Sequence, residues 1–237
     1  FTPWASVNIF TFLLIAGSTR SCALLLRRWQ GLDDGVRTVS LCAWLMVITI
    51  ANSAEFGQKD HFIAITLLPF LLAQKAITAK SATNSWLIYS ALATGTPFIL
   101  LKPHYGLLPA FLLAQRFTTQ KRLSIVADPD FLCLSAATII YILITFAFFP
   151  DFITEVLPDS FSFYVLAEAE NNTLKSALAL IWGGICLYLL GRTSDENQAT
   201  KDFISFLCFM GGLSAVIFWL QNKGFTIHFM PAFNFLF

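Results

Sequence analysis

Long apolar runs recur along this chain and are separated by short polar connections. They cover residues 4–26, 39–54, 62–73, 86–101, 105–114, 131–149, 177–190 and 203–220, and a further run begins after residue 228. A helix needs about 20 apolar residues to cross a bilayer, so runs 62–73 and 105–114 predict short helices or partial spans that neighbouring helices shelter. The pattern predicts an all-α fold, a polytopic transmembrane helical bundle of about eight or nine apolar segments.

The composition supports a bilayer as the solvent of this chain. Only 12% of its residues are charged and 57% are hydrophobic, whereas a soluble domain has about 25% charged residues. The net charge is +1 without a basic patch, so we expect no nucleic-acid partner. Without a repeat or linker, residues 1–237 predict a single transmembrane helical domain. Because the chain begins at Phe1 rather than Met, we expect it to be a fragment of a longer protein.

The distribution of Lys and Arg predicts the orientation of the bundle. If the connections alternate between two sides, one side carries ten of the 15 basic residues, namely Arg27, Arg28, Arg37, Lys75, Lys80, Arg116, Lys121, Arg122, Arg192 and Lys201. The other side carries Lys59, Lys102, Lys175 and Lys223, and Arg20 lies inside the first run. Cytoplasmic connections are enriched in Lys and Arg, so the first side is predicted to be cytoplasmic and the second to be outer.

Three polar stretches on the predicted outer side, residues 55–61, 102–104 and 221–228, hold all 3 histidines. Each stretch places a lysine before a histidine: Lys59 and His61, Lys102 and His104, Lys223 and His228. A helix is predicted to start after each stretch, and helix N-termini carry partial positive charge. Together these groups predict an anion site, with phosphate as the natural ligand. The alternative is that these are ordinary interfacial residues, which are common where helices meet water.

The same stretches resemble the GT-C class of integral-membrane glycosyltransferases, and in particular bacterial members that use polyprenyl-phosphate-linked sugars. The resemblance is carried by Gly57-Gln58-Lys59-Asp60-His61, by Lys102-Pro103-His104, by Gln221-Asn222-Lys223-Gly224 with His228 and Pro231, and by the stretch Thr154-Glu155-Val156-Leu157-Pro158. These motifs extend over residues 57–231. The resemblance implies transfer of a sugar from a polyprenyl-phosphate donor to an acceptor at the outer face of a bacterial inner membrane, facing the periplasm.

The resemblance also implies roles for individual residues. The expected substrate-binding residues are Gln58, Lys59, His61, Lys102, His104, Gln221, Lys223 and His228. Asp60 and Glu55 are the candidates for the catalytic base, although Asp60 also suits pairing with Lys59 or His61, or capping of the helix that follows. Members of the class usually carry a catalytic carboxylate in their first outer loop, which would lie upstream of Phe1. We expect no metal or other cofactor, because the spacing of the histidines and Asp60 matches no known metal site.

Two other functions stay open at this stage. A transporter for an anionic or lipid-linked substrate also uses short helices and polar residues at membrane depth. A non-catalytic subunit with a GT-C-like fold, working with partner subunits in a membrane complex, would carry the same motifs. Residues 150–175 mix acidic with aromatic and aliphatic residues, and this mixture predicts an outer interfacial segment that borders the site.

Overall fold

The computed structural model describes residues 2–51, 56–79, 85–121, 123–159 and 197–220, together with Gly183 and Ile185. Within these ranges every regular element is helical. The helices are α1 (Pro3–Arg27), α2 (Asp34–Met46), α3 (Lys59–Thr78), α4 (Ser85–Leu101), α5 (Leu107–Gln120), α6 (Pro129–Phe148) and α7 (Gln198–Leu220). Two π-helical turns (Val47–Ala51 and Phe152–Val156) and two 3-10 turns (Pro103–Gly106 and Leu123–Ala127) complete the described part. The all-α prediction is confirmed for this part of the chain.

Four of the described helices are long and apolar enough to cross a membrane: Pro3–Arg27, His61–Thr78, Pro129–Phe148 and Gln198–Ile217. Helix α4 (Ser85–Leu101) is apolar but shorter. The count of eight or nine apolar segments stays a prediction, because run 177–190 lies almost wholly outside the described residues and the run after residue 228 lies entirely outside them.

The surface of α6 fits a bilayer better than it fits water. Ile139, Leu143 and Phe146 are 57%, 62% and 63% exposed, and none of the residues in the apolar window of this helix is buried. Soluble proteins rarely expose a contiguous apolar surface of this kind. Lipid tails would cover it without the cost that water imposes.

Helix α3 forms the centre of the bundle. Every residue from 63 to 74 is buried, and the helix packs mainly against α1 and α4. A Cβ at Gly95 of α4 would lie 2.8 Å from Cδ2 of Phe70, so the glycine allows α3 and α4 to approach closely. The prediction of a short helix over residues 62–73 was wrong. The helix extends from Lys59 to Thr78, and the polar residues His61 and Gln74, which lie beyond the ends of the run, are buried inside the bundle.

Helix α2 also begins earlier than its apolar run. Its N-cap residue is Asp33, whose Oδ1 accepts the N–H groups of Gly35 at 2.8 Å and Val36 at 3.3 Å. These bonds satisfy two of the N–H groups that a helix start leaves without partners. Asp34 and Arg37, which were predicted to lie in a loop, therefore lie in the first turns of α2.

The described helices place their connections at two opposite ends of the bundle. At one end Trp29, which follows α1, packs against Phe203 at the start of α7, with ring centroids 5.1 Å apart. Gln74 at the end of α3 reaches Asp130 at the start of α6 at this same end. Because Arg116 of α5 also bonds to Asp130, we call this the Arg116 end.

At the opposite end, Phe62 near the start of α3 packs against Phe98 near the end of α4, with centroids 5.4 Å apart. Phe56, which precedes α3, packs in turn against Phe12 in the first half of α1. Lys102 directly follows α4, so we call this the Lys102 end. Among the described residues, the helix ends that border connections assigned to opposite sides thus lie at opposite ends of the bundle.

Candidate functional site

His61 is completely buried near the start of α3, and backbone groups engage both of its ring nitrogens. The Gly57 N–H donates to Nδ1 over 3.2 Å, and Nε2 lies 2.6 Å from the carbonyl oxygen of Ile48. A carbonyl only accepts, so Nε2 must carry the proton and Nδ1 must be bare, which defines a neutral tautomer. The ring therefore ties α3 to the turn that ends α2. In this arrangement it has no spare donor for a phosphate, and its substrate-binding role stays a prediction.

Gly57 lies in the turn that directly precedes α3 and faces α1. Its conformation explains why the first motif has a glycine. Its φ is +79°, a conformation that residues with a side chain rarely adopt. A Cβ at this position would also lie 2.6 Å from Cγ1 of Val7. Both constraints favour glycine for local structural reasons.

A groove of about 610 Å³ lies between the start of α1 and the turn that holds Gly57. Trp4, Asn8 and Gln58 provide its polar and aromatic lining, and all three are exposed. Amide groups both donate and accept hydrogen bonds, and an indole adds a flat apolar face. The groove therefore has the chemistry to bind a hydroxyl-rich ligand, and it contains the predicted substrate-binding residue Gln58.

Trp4 and Asn8 were not predicted from the sequence as functional residues. Asn8 interrupts the first apolar run, and a polar residue at membrane depth is a signal for function. The sequence alone does not show that Asn8 lies near Gln58, because the two residues are far apart along the chain.

Lys102 lies between α4 and the 3-10 turn Pro103–Gly106, and only 7% of it is exposed. Its N–H donates to the Ile99 carbonyl at 3.2 Å, and its own carbonyl accepts the Tyr105 N–H at 3.0 Å. Pro103 opens the turn, as the sequence predicts for a residue without an N–H. Lysine side chains are rarely buried to this degree in folded proteins, so Lys102 stands out among the described lysines of the chain.

The turn that follows Lys102 also holds His104, which is half-buried. Its ring packs against Tyr105, with centroids 4.6 Å apart. His104 and Lys102 therefore lie within one turn of chain, as the second motif predicts.

An aromatic cluster links the first two polar stretches. Phe62 follows His61, Phe98 precedes Lys102 by one helical turn, and Phe10 of α1 contacts both rings at 5.5 and 6.5 Å. Two of the three stretches therefore lie side by side at the Lys102 end. The third stretch, with Gln221, Lys223 and His228, lies outside the described residues, and so does Glu55.

Lys59 and Asp60 open α3 at this end. The N-cap position belongs to Gln58, so Asp60 is not the cap residue that the sequence allowed it to be. Asp60 lies instead in the first helical turn, and its role as a base stays a prediction.

The Arg116 end contains a buried ionic network that the sequence did not predict. Arg116, expected in a cytoplasmic loop, lies in α5 and is 2% exposed. Its Nη2 donates to Oδ1 and Oδ2 of Asp130 at 2.8 and 3.0 Å, and it lies 3.4 Å from Oδ2 of Asp128. Gln74 donates from Nε2 to Oδ2 of Asp130 at 3.0 Å. The network joins α3, α5 and the start of α6.

Comparison of the chain with known protein families, curated proteins and solved structures finds no match. The resemblance to GT-C enzymes therefore depends on the sequence motifs alone. The functional consequences of that resemblance are proposals.

Proposed function

We propose that this chain belongs to an integral membrane glycosyltransferase of the GT-C type. It moves a sugar from a polyprenyl-phosphate-linked donor to an acceptor at the Lys102 end of the bundle. We take this end as the outer, periplasmic face of a bacterial inner membrane, because ten of the 15 Lys and Arg residues fall on the opposite side when the apolar runs alternate across the membrane.

The observation that carries the proposal is the burial of Lys102. Transfer from a lipid phosphate leaves negative charge on the departing phosphate, and fixed positive groups that face this charge lower the barrier. An ammonium acts as a point charge toward phosphate. At 7% exposure the Lys102 side chain is largely shielded from water, which strengthens its electrostatic interactions.

The groove beside α1 supports the sugar half of the proposal. Asn8 and Gln58 offer amide groups to sugar hydroxyls, and Trp4 offers an aromatic face to the ring of the sugar. The acceptor hydroxyl then needs a base, for which Asp60 and Glu55 are the candidates within the chain. A carboxylate upstream of Phe1 is the alternative that the resemblance implies.

The proposal is tested with the full-length protein in proteoliposomes that contain a labelled polyprenyl-phosphate sugar and a cell-envelope extract as the source of acceptor. We expect release of polyprenyl phosphate together with transfer of the label. Asp60→Asn and Glu55→Gln in parallel identify the base, since the variant that lacks it loses turnover while it still binds donor.

Absence of turnover with a range of donor sugars that do bind would contradict catalysis and favour the non-catalytic subunit. Absence of donor binding would contradict the lipid-phosphate site itself. A protein that carries the labelled lipid across the bilayer without transferring its sugar would instead be a transporter.

A further inference from the structure

A second polar cavity, of about 440 Å³, lies at the Arg116 end, opposite the proposed donor site. The end of α1, the end of α3 and the start of α7 enclose it. Leu25 and Leu72 contribute apolar lining, while Arg28, Lys75, Trp29 and Asp202 contribute polar and aromatic lining. Glycosyl transfer at the Lys102 end assigns no role to these residues.

Two basic side chains of this cavity have no acidic partner among the described residues. Lys75 is half-buried, with Nζ 5.9 Å from the centroid of the Phe206 ring, which is a cation–π distance. Arg28 is exposed at the C-cap of α1. Across the described ranges, neither side chain forms an ion pair. Both cations are therefore available to an anion that enters the cavity.

One acidic residue also contributes to the lining, and it limits the charge of that anion. Asp202 accepts a hydrogen bond from Nε2 of Gln198 at 2.8 Å on its own helix. With Arg28 and Lys75 the three side chains carry a net charge of one positive unit. This balance favours a singly charged anion, because a second negative charge would be repelled by Asp202.

The wall of the cavity suits a ligand that has an apolar part next to its charge. Trp29 is held by Phe203 and Phe206, with ring centroids 5.1 and 5.8 Å away. Leu25 and Leu72 extend the apolar surface into the bundle. Basic pockets between membrane helices bind the phosphate headgroups of anionic lipids in this way.

We propose that this cavity binds a phosphate group of single negative charge, such as the phosphate diester of an anionic membrane lipid. The planar guanidinium of Arg28 contacts two phosphate oxygens, and Lys75 adds a point charge. The first methylene groups of the acyl chains lie against Leu25 and Leu72. Inorganic phosphate would use the same cations but not the apolar surface.

The test measures the Kd of the full-length protein in detergent for phosphatidylglycerol, for phosphatidylcholine and for inorganic phosphate. We expect tighter binding of phosphatidylglycerol than of phosphatidylcholine, which has no net charge. Arg28→Gln and Lys75→Gln should each weaken phosphatidylglycerol binding about fivefold, the effect of about 1 kcal/mol per basic residue near a membrane surface.

Arg27→Gln is the matched control, because it removes the same charge at the adjacent position. Arg27 lines a different cavity, together with Asp34 and Arg37, so binding should not change. Size-exclusion profiles of the variants confirm that each remains folded.

Binding of inorganic phosphate that is as tight, and that weakens as much in Arg28→Gln and Lys75→Gln, supports the phosphate site and identifies free phosphate as the source. Equal affinities for the two lipids, or an equal loss in Arg27→Gln, would overturn the proposal. None of these measurements depends on sugar transfer, so their failure is distinguishable from failure of the proposed function.

Discussion

A single guanidinium nitrogen of Arg116, Nη2, donates to both carboxylate oxygens of Asp130, at 2.8 and 3.0 Å. The two residues are 2% and 0% exposed, so water screens the pair very little. Arg116 belongs to the second half of α5 and Asp130 to the first turn of α6. The pair therefore fixes how the chain reverses direction at this end of the bundle.

Removal of one partner should be strongly destabilising. Asp130→Asn leaves a buried guanidinium without its main counter-charge, and such losses cost about 3–5 kcal/mol. The free energy of unfolding, measured by denaturant titration in detergent, checks this value. Asp128→Asn is the control: its contact with Nη2 is 3.4 Å and its side chain is 35% exposed. It should cost less than about 1 kcal/mol. Equal losses for the two variants would contradict a special role for Asp130.

A negative charge introduced at position 74 should lower the free energy of unfolding more than loss of the hydrogen bond made by Gln74. Gln74→Glu places a second buried carboxylate beside Asp130, whereas Gln74→Leu adds no charge and removes the Nε2 donor, which lies 3.0 Å from Oδ2 of Asp130 and 3.4 Å from the Pro109 carbonyl oxygen. A hydrogen bond to a charged group contributes about 1.5–3 kcal/mol. The Gln74 Oε1 atom has no hydrogen-bond partner among the described residues, so leucine also removes an unsatisfied group. Denaturant titrations should give a lower free energy of unfolding for Gln74→Glu than for Gln74→Leu. The reverse order would exclude repulsion from Asp130 as the dominant effect.

His61 should contribute to folding through its two backbone bonds. His61→Phe keeps an aromatic ring but leaves the Gly57 N–H and the Ile48 carbonyl without these partners. We expect a loss of about 2–4 kcal/mol in the free energy of unfolding, since each unsatisfied buried group costs about 1–3 kcal/mol. Thr66→Val, also buried in α3, removes a hydroxyl that bonds only within its helix and should cost much less. An unchanged unfolding free energy for His61→Phe would show that these bonds do not hold the fold.

The sequence predicted the apolar helices well where their boundaries coincide with a change in hydropathy. Runs 4–26 and 131–149 correspond closely to α1 (Pro3–Arg27) and α6 (Pro129–Phe148). It failed where a polar residue lies inside a helix. Arg116 was placed in a loop because a charge usually ends an apolar run, and its partner Asp130 is visible only after the chain has folded.

In the candidate site, too, the sequence predicted local features but not tertiary contacts. The motif around Lys102 predicted that Pro103 lies in the first turn of a helix, and it opens the 3-10 turn before α5, because a proline ring and a missing N–H have local consequences. The bonds of His61 to Ile48 and Gly57, and the groove between Asn8 and Gln58, are tertiary relationships that local patterns do not encode.

The orientation can be tested by cysteine labelling in a background without native cysteines. A membrane-impermeant thiol reagent applied to intact cells that lack an outer-membrane barrier should label Gln58→Cys and spare Lys121→Cys. Both positions are exposed, and they belong to opposite ends of the bundle. Inverted membrane vesicles should reverse the pattern. Labelling of position 121 but not 58 in intact cells would contradict the charge-based orientation.

The most direct test of the proposed function compares sugar transfer by the wild type and Lys102→Ala in proteoliposomes. Loss of one charge-assisted contact with the donor phosphate, worth about 1.5–3 kcal/mol, should lower the transfer rate roughly tenfold to a hundredfold. Lys121→Asn is the matched control: it removes a charge at the opposite end, and asparagine tolerates the left-handed backbone there, where φ is 48°. We expect a large loss for Lys102→Ala and wild-type transfer for Lys121→Asn, whereas equal transfer rates for wild type and Lys102→Ala would contradict the proposed function.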